Sequence, residues 1–325
     1  MCAPHAEHWE TVHGVPKGYL PRALYGRILR GLVDDDLRFD HLILQWLGDP
    51  SLHPDLEWMI GEASRVLGDR VGYLRFDTNA ILLTPSRMDR ILTELAPNVP
   101  LTCVFTLDAV TGATYRRTKG RDGLERARRH IRHLLARRKA LAAPRAVRVQ
   151  VQFVVQESNA HEAADFLAYW SEALTCTGSG GHGEILYKPL SVGGGGPGQD
   201  AAMALYTRTL RDAGIVGVQG DALSVTVWDD RPWQRDDVHR ARGACPGLWY
   251  TPVVRQDGHL VMCCADLHSE LDLGSLAEHG FRELWEGPMA RLQRKKHREG
   301  VFDGVCASCG GINWYVLGPG AAAIG

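Results

Sequence analysis

Net charge is nearly absent from this chain: 37 basic residues stand against 38 acidic ones, and no terminal tail carries charge of one sign. That balance excludes a global field able to gather nucleic acid or an anionic membrane surface. A charged and apolar leader is missing from the opening Met1-Cys2-Ala3-Pro4-His5, and no run of about 18 apolar residues occurs. Together these absences predict a soluble cytoplasmic protein with neither nucleic acid nor membrane among its partners. The glycine run 193–196 lacks the GK[ST] that would make it a phosphate-binding loop, and no fixed repeat stands out. His5, His41 and His53 have no ligand partner at i,i+4, so a histidine metal site is unsupported.

What is present suits a sizeable α/β protein. With 325 residues and 45% hydrophobic content, the chain can bury a large core. Short β-rich runs alternate with helical patterns, the signature of β-α units around a parallel sheet. Strands are expected at His41–Leu47, Val71–Phe76, Leu101–Thr106, Val147–Val155 and Glu184–Leu190, with helices at Leu56–Val66, Arg87–Leu95, Leu124–Leu135 and Ala160–Leu174. In the third helix Leu124, Ala127, Ile131 and Leu134 recur at helical spacing, while Arg126, Arg128, Arg129, Arg132 and Arg137 read as a solvated face rather than a polyanion patch. From about residue 230 the rhythm turns irregular and rich in Cys, Gly and Trp, which places a boundary between domains 1–230 and 231–325.

That second region holds Cys245, Cys263, Cys306 and Cys309, spaced C-x17-C-x42-C-x2-C. In a reducing compartment such thiolates hold metal rather than form disulfides. By spacing alone a structural zinc ion with four thiolates and an iron-sulfur cluster both fit. Asp257-Gly258 between apolar flanks signals a hairpin, expected to bring Cys245 and Cys263 onto neighbouring strands. Adjacent strand residues face opposite ways, so only one of Cys263 and Cys264 points easily at a metal. Cys103 and Cys176 read as core residues.

Parallel barrels carry their sites at the C-terminal ends of strands. There the sequence has Gly48-Asp49-Pro50, Asp77-Thr78-Asn79, Thr106-Leu107-Asp108 and Gln156-Glu157-Ser158-Asn159. With these motifs the chain resembles the radical S-adenosylmethionine (SAM) enzymes that carry a C-terminal SPASM or twitch extension. Gly48-Asp49-Pro50 is similar to their Gly-Glu-Pro segment, Asp77-Thr78-Asn79-Ala80 to their "TNG" strand end, and Thr106 to Tyr115 to their "SLDA" strand and "TY" turn. Cys245-Pro246-Gly247-Leu248-Trp249, the segment Gln256 to Asp266, Leu273-Gly274-Ser275-Leu276 and Glu283-Leu284-Trp285-Glu286-Gly287 are similar to successive SPASM segments.

The resemblance implies an α/β fold: a partial (β/α)6-type barrel lacking its first strand, plus a small Cys-rich α+β domain. It implies SAM contacts from Gly48, Asp49, Pro50, Asn79, Asp108 and Lys119, and one auxiliary [4Fe-4S] cluster on Cys245, Cys263, Cys306 and Cys309. Cys263 is the ligand by register with the motif. Cys264 is then either a packed thiol or a hydrogen-atom donor to a substrate radical. The family's radical cluster uses C-x3-C-x2-C, of which Cys2 alone is present, so that site is incomplete in this chain. Two accounts compete, a start at an internal Met or a relative that has lost the cluster. The bare sheet edge left by a missing strand favours the first. Asp49 stands where relatives have Glu, and Lys119 where many have Arg.

The expected activity is radical SAM oxidoreduction, dehydrogenase or epimerase in type, with a 5'-deoxyadenosyl radical abstracting hydrogen from a small molecule such as an aminosugar. The alternatives are a peptide-modifying maturase and, in another class, a non-catalytic iron-sulfur or zinc protein. An electron donor such as flavodoxin or ferredoxin is the implied protein partner. Gln152, Tyr187 and Lys188 are further candidates for a substrate contact.

Overall fold

A computed structural model describes residues 17–141, 146–175, 182–190, 197–228 and 244–309. Cys2, His5, Cys176, the glycine run 193–196 and the boundary expected near residue 230 lie outside the described residues. By internal contacts the chain divides into two compact units. Among the described residues the first takes those from 38 to 190 and from 197 to 228, and the second combines 17–37 with 244–309.

The first unit is built on six parallel strands in the order β1 to β6: Phe39–Ile43, Val71–Thr78, Leu101–Thr106, Val147–Val155, Gly183–Pro189 and Leu223–Val227. Every neighbouring pair is parallel and sequential. Helices α2 (Leu56–Leu67), α3 (Pro85–Glu94), α4 (Gly112–Lys119), α5 (Leu124–Lys139), α6 (Ala163–Thr175) and α7 (Pro197–Asp212) join them. This is the α/β architecture that the β-α alternation predicts.

Side chains alternate across this sheet because the strand period is two. On the helix-covered face Phe153, Phe166 and Tyr187 pack ring to ring between β4, β5 and α6. The opposite face is far more polar. His41 stacks on Tyr73 there, and Arg75 and Asp77 follow along β2 in the same phase. Buried apolar strands of this kind are legible as continuous runs, whereas a polar face marks where the sheet does something other than pack.

Three of the five expected strands have other bounds: the second extends to Thr78, the fifth runs Gly183–Pro189, and the first departs most. The first runs Phe39–Ile43 instead of His41–Leu47, because the chain leaves the ladder at Leu44 and the Gln45 side chain accepts the Asp77 N–H. The sixth strand, Leu223–Val227, is additional to the five expected.

The second unit contains α1 (Arg22–Asp34), α8 (Gly247–Tyr250), α9 (Phe281–Trp285), α10 (Pro288–Arg298), α11 (Val305–Ser308) and an antiparallel sheet of β7 (Val253–Val254), β8 (His259–Val261) and β9 (Asp272–Ser275). Helix α1 joins this unit although it precedes the parallel sheet in the chain. The Arg27 guanidinium donates to the Ala277 carbonyl at 2.7 Å, and Arg282 donates from its backbone N–H to Asp35 at 2.9 Å. The hairpin forms at Asp257-Gly258, where Gly258 has φ +85. A Cβ there would meet Leu24 of α1 at 2.6 Å, so both the turn and the close approach require glycine.

Candidate functional site: strand ends and a cysteine cluster

The loop after β1 is organised by one carboxylate. Asp49 accepts from the Ser51 N–H at 2.9 Å, the Ser51 hydroxyl at 2.6 Å and the Asn79 N–H at 3.1 Å. The Thr78 hydroxyl also donates to Asp49. Asp49 therefore spends its hydrogen-bonding capacity within the protein, and its role is to hold the Gly48–Pro50 backbone against the end of β2. Gly48 has φ +92, with open space where a Cβ would stand. Beneath the loop, Arg87 donates to the Ser51 carbonyl at 2.5 Å, the His53 carbonyl at 2.9 Å and Glu57 at 2.6 Å.

Two residues at neighbouring strand ends take the left-handed conformation without being glycine. Ala80 has φ +63 and Asp108 has φ +59. Such strain persists where surrounding contacts over-determine the backbone. For Ala80 the contact is the buried His130, whose Nδ1 lies 2.8 Å from the Ala80 carbonyl and so carries the proton. For Asp108, Oδ1 accepts the Val154 N–H at 2.7 Å, Oδ2 pairs with the Lys119 ammonium, and the carbonyl accepts from Asn159 at 2.9 Å. The structure thus brings together Asp108 and Lys119, two residues expected separately to contact SAM. Tyr115, fully buried, places its hydroxyl nearby, without a hydrogen-bond partner among the described residues. Burial, then Asp108, push that hydroxyl up to about 12, with Asp49 adding a further push and Arg121 opposing.

Of the three further candidates, Lys188 lies on the polar face and Gln152 shares its phase on β4. Tyr187 does not. Its hydroxyl donates to the Ala163 carbonyl at 2.8 Å on the helix-covered side, because residue 187 alternates away from residue 188. The arginine face of α5 is mostly solvated, as expected, except that Arg128 is buried over the Tyr169 ring at 4.2 Å.

In the second unit Cys245, Cys263 and Cys306 are buried, while Cys264 and Cys309 are partly exposed. Cys245, Cys263 and Cys264 pack with Leu248, Trp249, Met262, Trp285 and Ala290. The strand expectation for these cysteines fails in detail. Cys245 precedes α8, and Cys263 lies two residues beyond β8 in a turn where the Asp266 N–H donates to the Cys263 carbonyl at 3.2 Å. Strand alternation therefore does not decide between Cys263 and Cys264. Their two sulfurs share a hydrogen bond that raises Cys263 and lowers Cys264. Burial first, then Cys263, push the Cys306 thiol up to about 11, with Cys309 and Cys245 contributing and Gln293 opposing. The Cys306 sulfur is thus within electrostatic reach of Cys245, Cys263 and Cys309.

Among the described residues no three metal-binding side chains converge closely enough to hold a single ion. Zinc gathers four sulfurs at about 2.3 Å each, whereas an iron-sulfur cube spreads its thiolates over several metal atoms. Cys245, Cys263, Cys306 and Cys309 supply the four thiolates that such a cluster uses.

Helix α10 supplies partners that sequence reasoning missed. The Gln293 amide reaches the Cys306 sulfur at 3.8 Å, and the Cys245 N–H donates to His297 Nδ1 at 3.4 Å. Arg294 donates to the Leu248 carbonyl at 2.9 Å and lies 4.6 Å from the Trp285 ring centre. Gln293 and His297 stand four apart on one helix face, which is the sequence signal that could have found them. Asp266, fully buried, accepts the Glu270 and Leu271 N–H groups at 3.0 and 2.7 Å and fixes the turn after Cys263.

Residues 245–310 match the family model SPASM, an iron-sulfur cluster-binding domain. No curated protein matches the chain. Among solved structures, anSMEcpe with bound AdoMet and the Cp18Cys peptide is similar at 13% identity and TM-score 0.58, over 92% of this chain and 79% of that one. The same protein with AdoMet alone gives 15% identity and TM-score 0.55, over 93% and 80%. BtrN in complex with AdoMet and 2-DOIA gives 13% identity and TM-score 0.44, over 88% and 77%. Among the described residues no helix is long and apolar enough to cross a membrane. The C-terminal region is a SPASM iron-sulfur cluster-binding domain and the chain shares the α/β fold of AdoMet-bound anSMEcpe, which together meet the resemblance to radical SAM proteins with a SPASM extension.

Proposed function

We propose that this protein is a radical SAM oxidoreductase that abstracts hydrogen from a small-molecule substrate and carries one auxiliary [4Fe-4S] cluster. The observation that carries the reading is that Cys245, Cys263, Cys306 and Cys309 all fall within the SPASM match, the first three of them buried. Bound together, a reduced [4Fe-4S] cluster and SAM supply homolytic hydrogen abstraction from carbon. Cys245, Cys263, Cys306 and Cys309 hold the auxiliary cluster, and Cys2 is assigned to the radical cluster. The Gly48–Pro50 backbone and Asn79 bind SAM, with Asp49, Asp108 and Lys119 fixing the strand ends that present them. Cys264, hydrogen-bonded to Cys263, is the candidate hydrogen donor. A flavodoxin or ferredoxin delivers the electron, and the compartment is the cytoplasm.

A second reading, modification of a peptide, has one observation in its favour: the related fold of anSMEcpe is described with a bound peptide. Product analysis with candidate small molecules and peptides separates the two.

Anaerobic reconstitution of the complete protein tests the cluster assignment. About four irons in the auxiliary site are expected, lost in C245A, C263A, C306A or C309A and kept in C264A. With reductant, the complete protein should convert SAM to methionine and 5'-deoxyadenosine. Colourless protein holding one zinc ion, or a cluster that survives all four substitutions, overturns the reading.

A further inference from the structure

On the polar face of the parallel sheet one lysine has no carboxylate partner among the described residues. Lys188 stands near the C-terminal end of β5, opposite Val154 of β4 in the register. Its ammonium lies 5.2 Å from the centre of the Trp228 ring, and it makes no ion pair or hydrogen bond with a described residue. The charges around it are already committed. Arg75 grips Asp77 through two bonds of 2.7 Å. Asp108 takes Lys119 and the Val154 N–H, and Glu184, on the same strand, takes the Thr226 hydroxyl at 2.5 Å.

Leaving a half-buried ammonium unpaired is unfavourable. Burial first, then Arg75, draw the Lys188 ammonium below the usual lysine range, with Asp77 and Asp108 opposing. An anionic oxygen group arriving at this position regains the solvation that the ammonium has lost. The indole of Trp228 offers an apolar wall beside it.

We infer that Lys188 is a specificity residue that receives a carboxylate or phosphate group of the substrate. The word "substrate" rests on the function proposed above; the anion pairing does not, and is measured without SAM cleavage. The substrate class thereby narrows to molecules bearing a negative charge near the carbon that reacts.

The test uses the complete protein with SAM present. Lysine acetylation read by mass spectrometry should show Lys188 slowed at least about fivefold by inorganic phosphate or by acetate, with exposed lysines such as Lys295 unaffected. Titration calorimetry should show phosphate binding weakened about tenfold or more in K188Q and largely kept in K188R, with SAM affinity unchanged in both. If neither anion protects Lys188 in the unmodified protein, the inference fails whether or not K188Q folds. If K188Q weakens SAM but not decarboxylated SAM, the anion is the carboxylate of SAM and the substrate assignment is overturned. Failure of SAM cleavage with protection intact would count against the proposed function alone.

Discussion

The Thr78 hydroxyl lies 2.7 and 2.9 Å from the two carboxylate oxygens of Asp49, which ties the end of β2 to the loop that follows β1. Hydrogen bonds to a charged group contribute about 1.5–3 kcal/mol each. T78V keeps the side-chain shape and removes the donor. It should destabilise the protein by about 1–3 kcal/mol and weaken SAM binding, because the Gly48–Pro50 backbone loses its anchor. Urea unfolding and calorimetry check both; a midpoint equal to that of the unmodified protein would refute the anchor.

Lys119 and Asp108 form a pair in which the carboxylate side chain is 3% exposed and the ammonium side chain 24%. Removing one partner of a buried pair costs about 3–5 kcal/mol. Partial exposure of Lys119 reduces this to about 2–3 kcal/mol for K119M. K119R should recover most of the loss, since guanidinium still reaches a carboxylate. Equilibrium unfolding of the two variants side by side makes the comparison.

Ala80 occupies φ +63 at the position after Asn79. The left-handed region costs an L-residue roughly 1–2 kcal/mol, and glycine gives back about 0.4–1 kcal/mol through its freer unfolded chain. A80G should therefore stabilise by up to about 1 kcal/mol. A destabilised A80G would mean that the Ala80 methyl packs more tightly than the strain costs.

Acid should unfold the first unit through two glutamates. Burial pushes Glu57 up, but hydrogen bonds from Arg87 and Arg90 carry it below the ordinary value. Burial likewise raises Glu162, and bonds from Thr111, Val110 and Thr114 bring it below. A carboxyl lowered by folding stabilises above its unfolded pKa and loses that contribution as pH falls through the folded value. Stability should decline from about pH 4.5 downward, and E57Q and E162Q should each flatten the decline. Denaturant midpoints between pH 6 and pH 3 test this, and parallel slopes for all three proteins would discount both groups.

The sequence exposes the sheet where strands are buried on both faces. Leu101–Thr106 and Val147–Val155 stand at the expected bounds, because their apolar runs end at polar strand ends. Leu223–Val227 is hidden, since five residues with Ser and Thr among the valines carry too little pattern to separate from a loop. At the cysteines, the quartet is visible by spacing but its surroundings are not. Gln293, Arg294 and His297 look like one flank of a solvated helix, and only the fold turns them inward. Asp49 was visible as a motif residue. That its carboxylate faces Thr78 and Ser51 depends on two loops meeting, which no local pattern records.

Helix α1 and α9 meet within one unit although residues Asp35 and Arg282, which join them, are 247 positions apart. During synthesis the parallel sheet is complete long before α9 leaves the ribosome. Tyr25, Ile28, Leu29 and Leu32 of α1 are buried in the finished protein. A helix made before the sheet is thus among the last to find its partner, and chains interrupted before Phe281 would be the ones most exposed to misassembly.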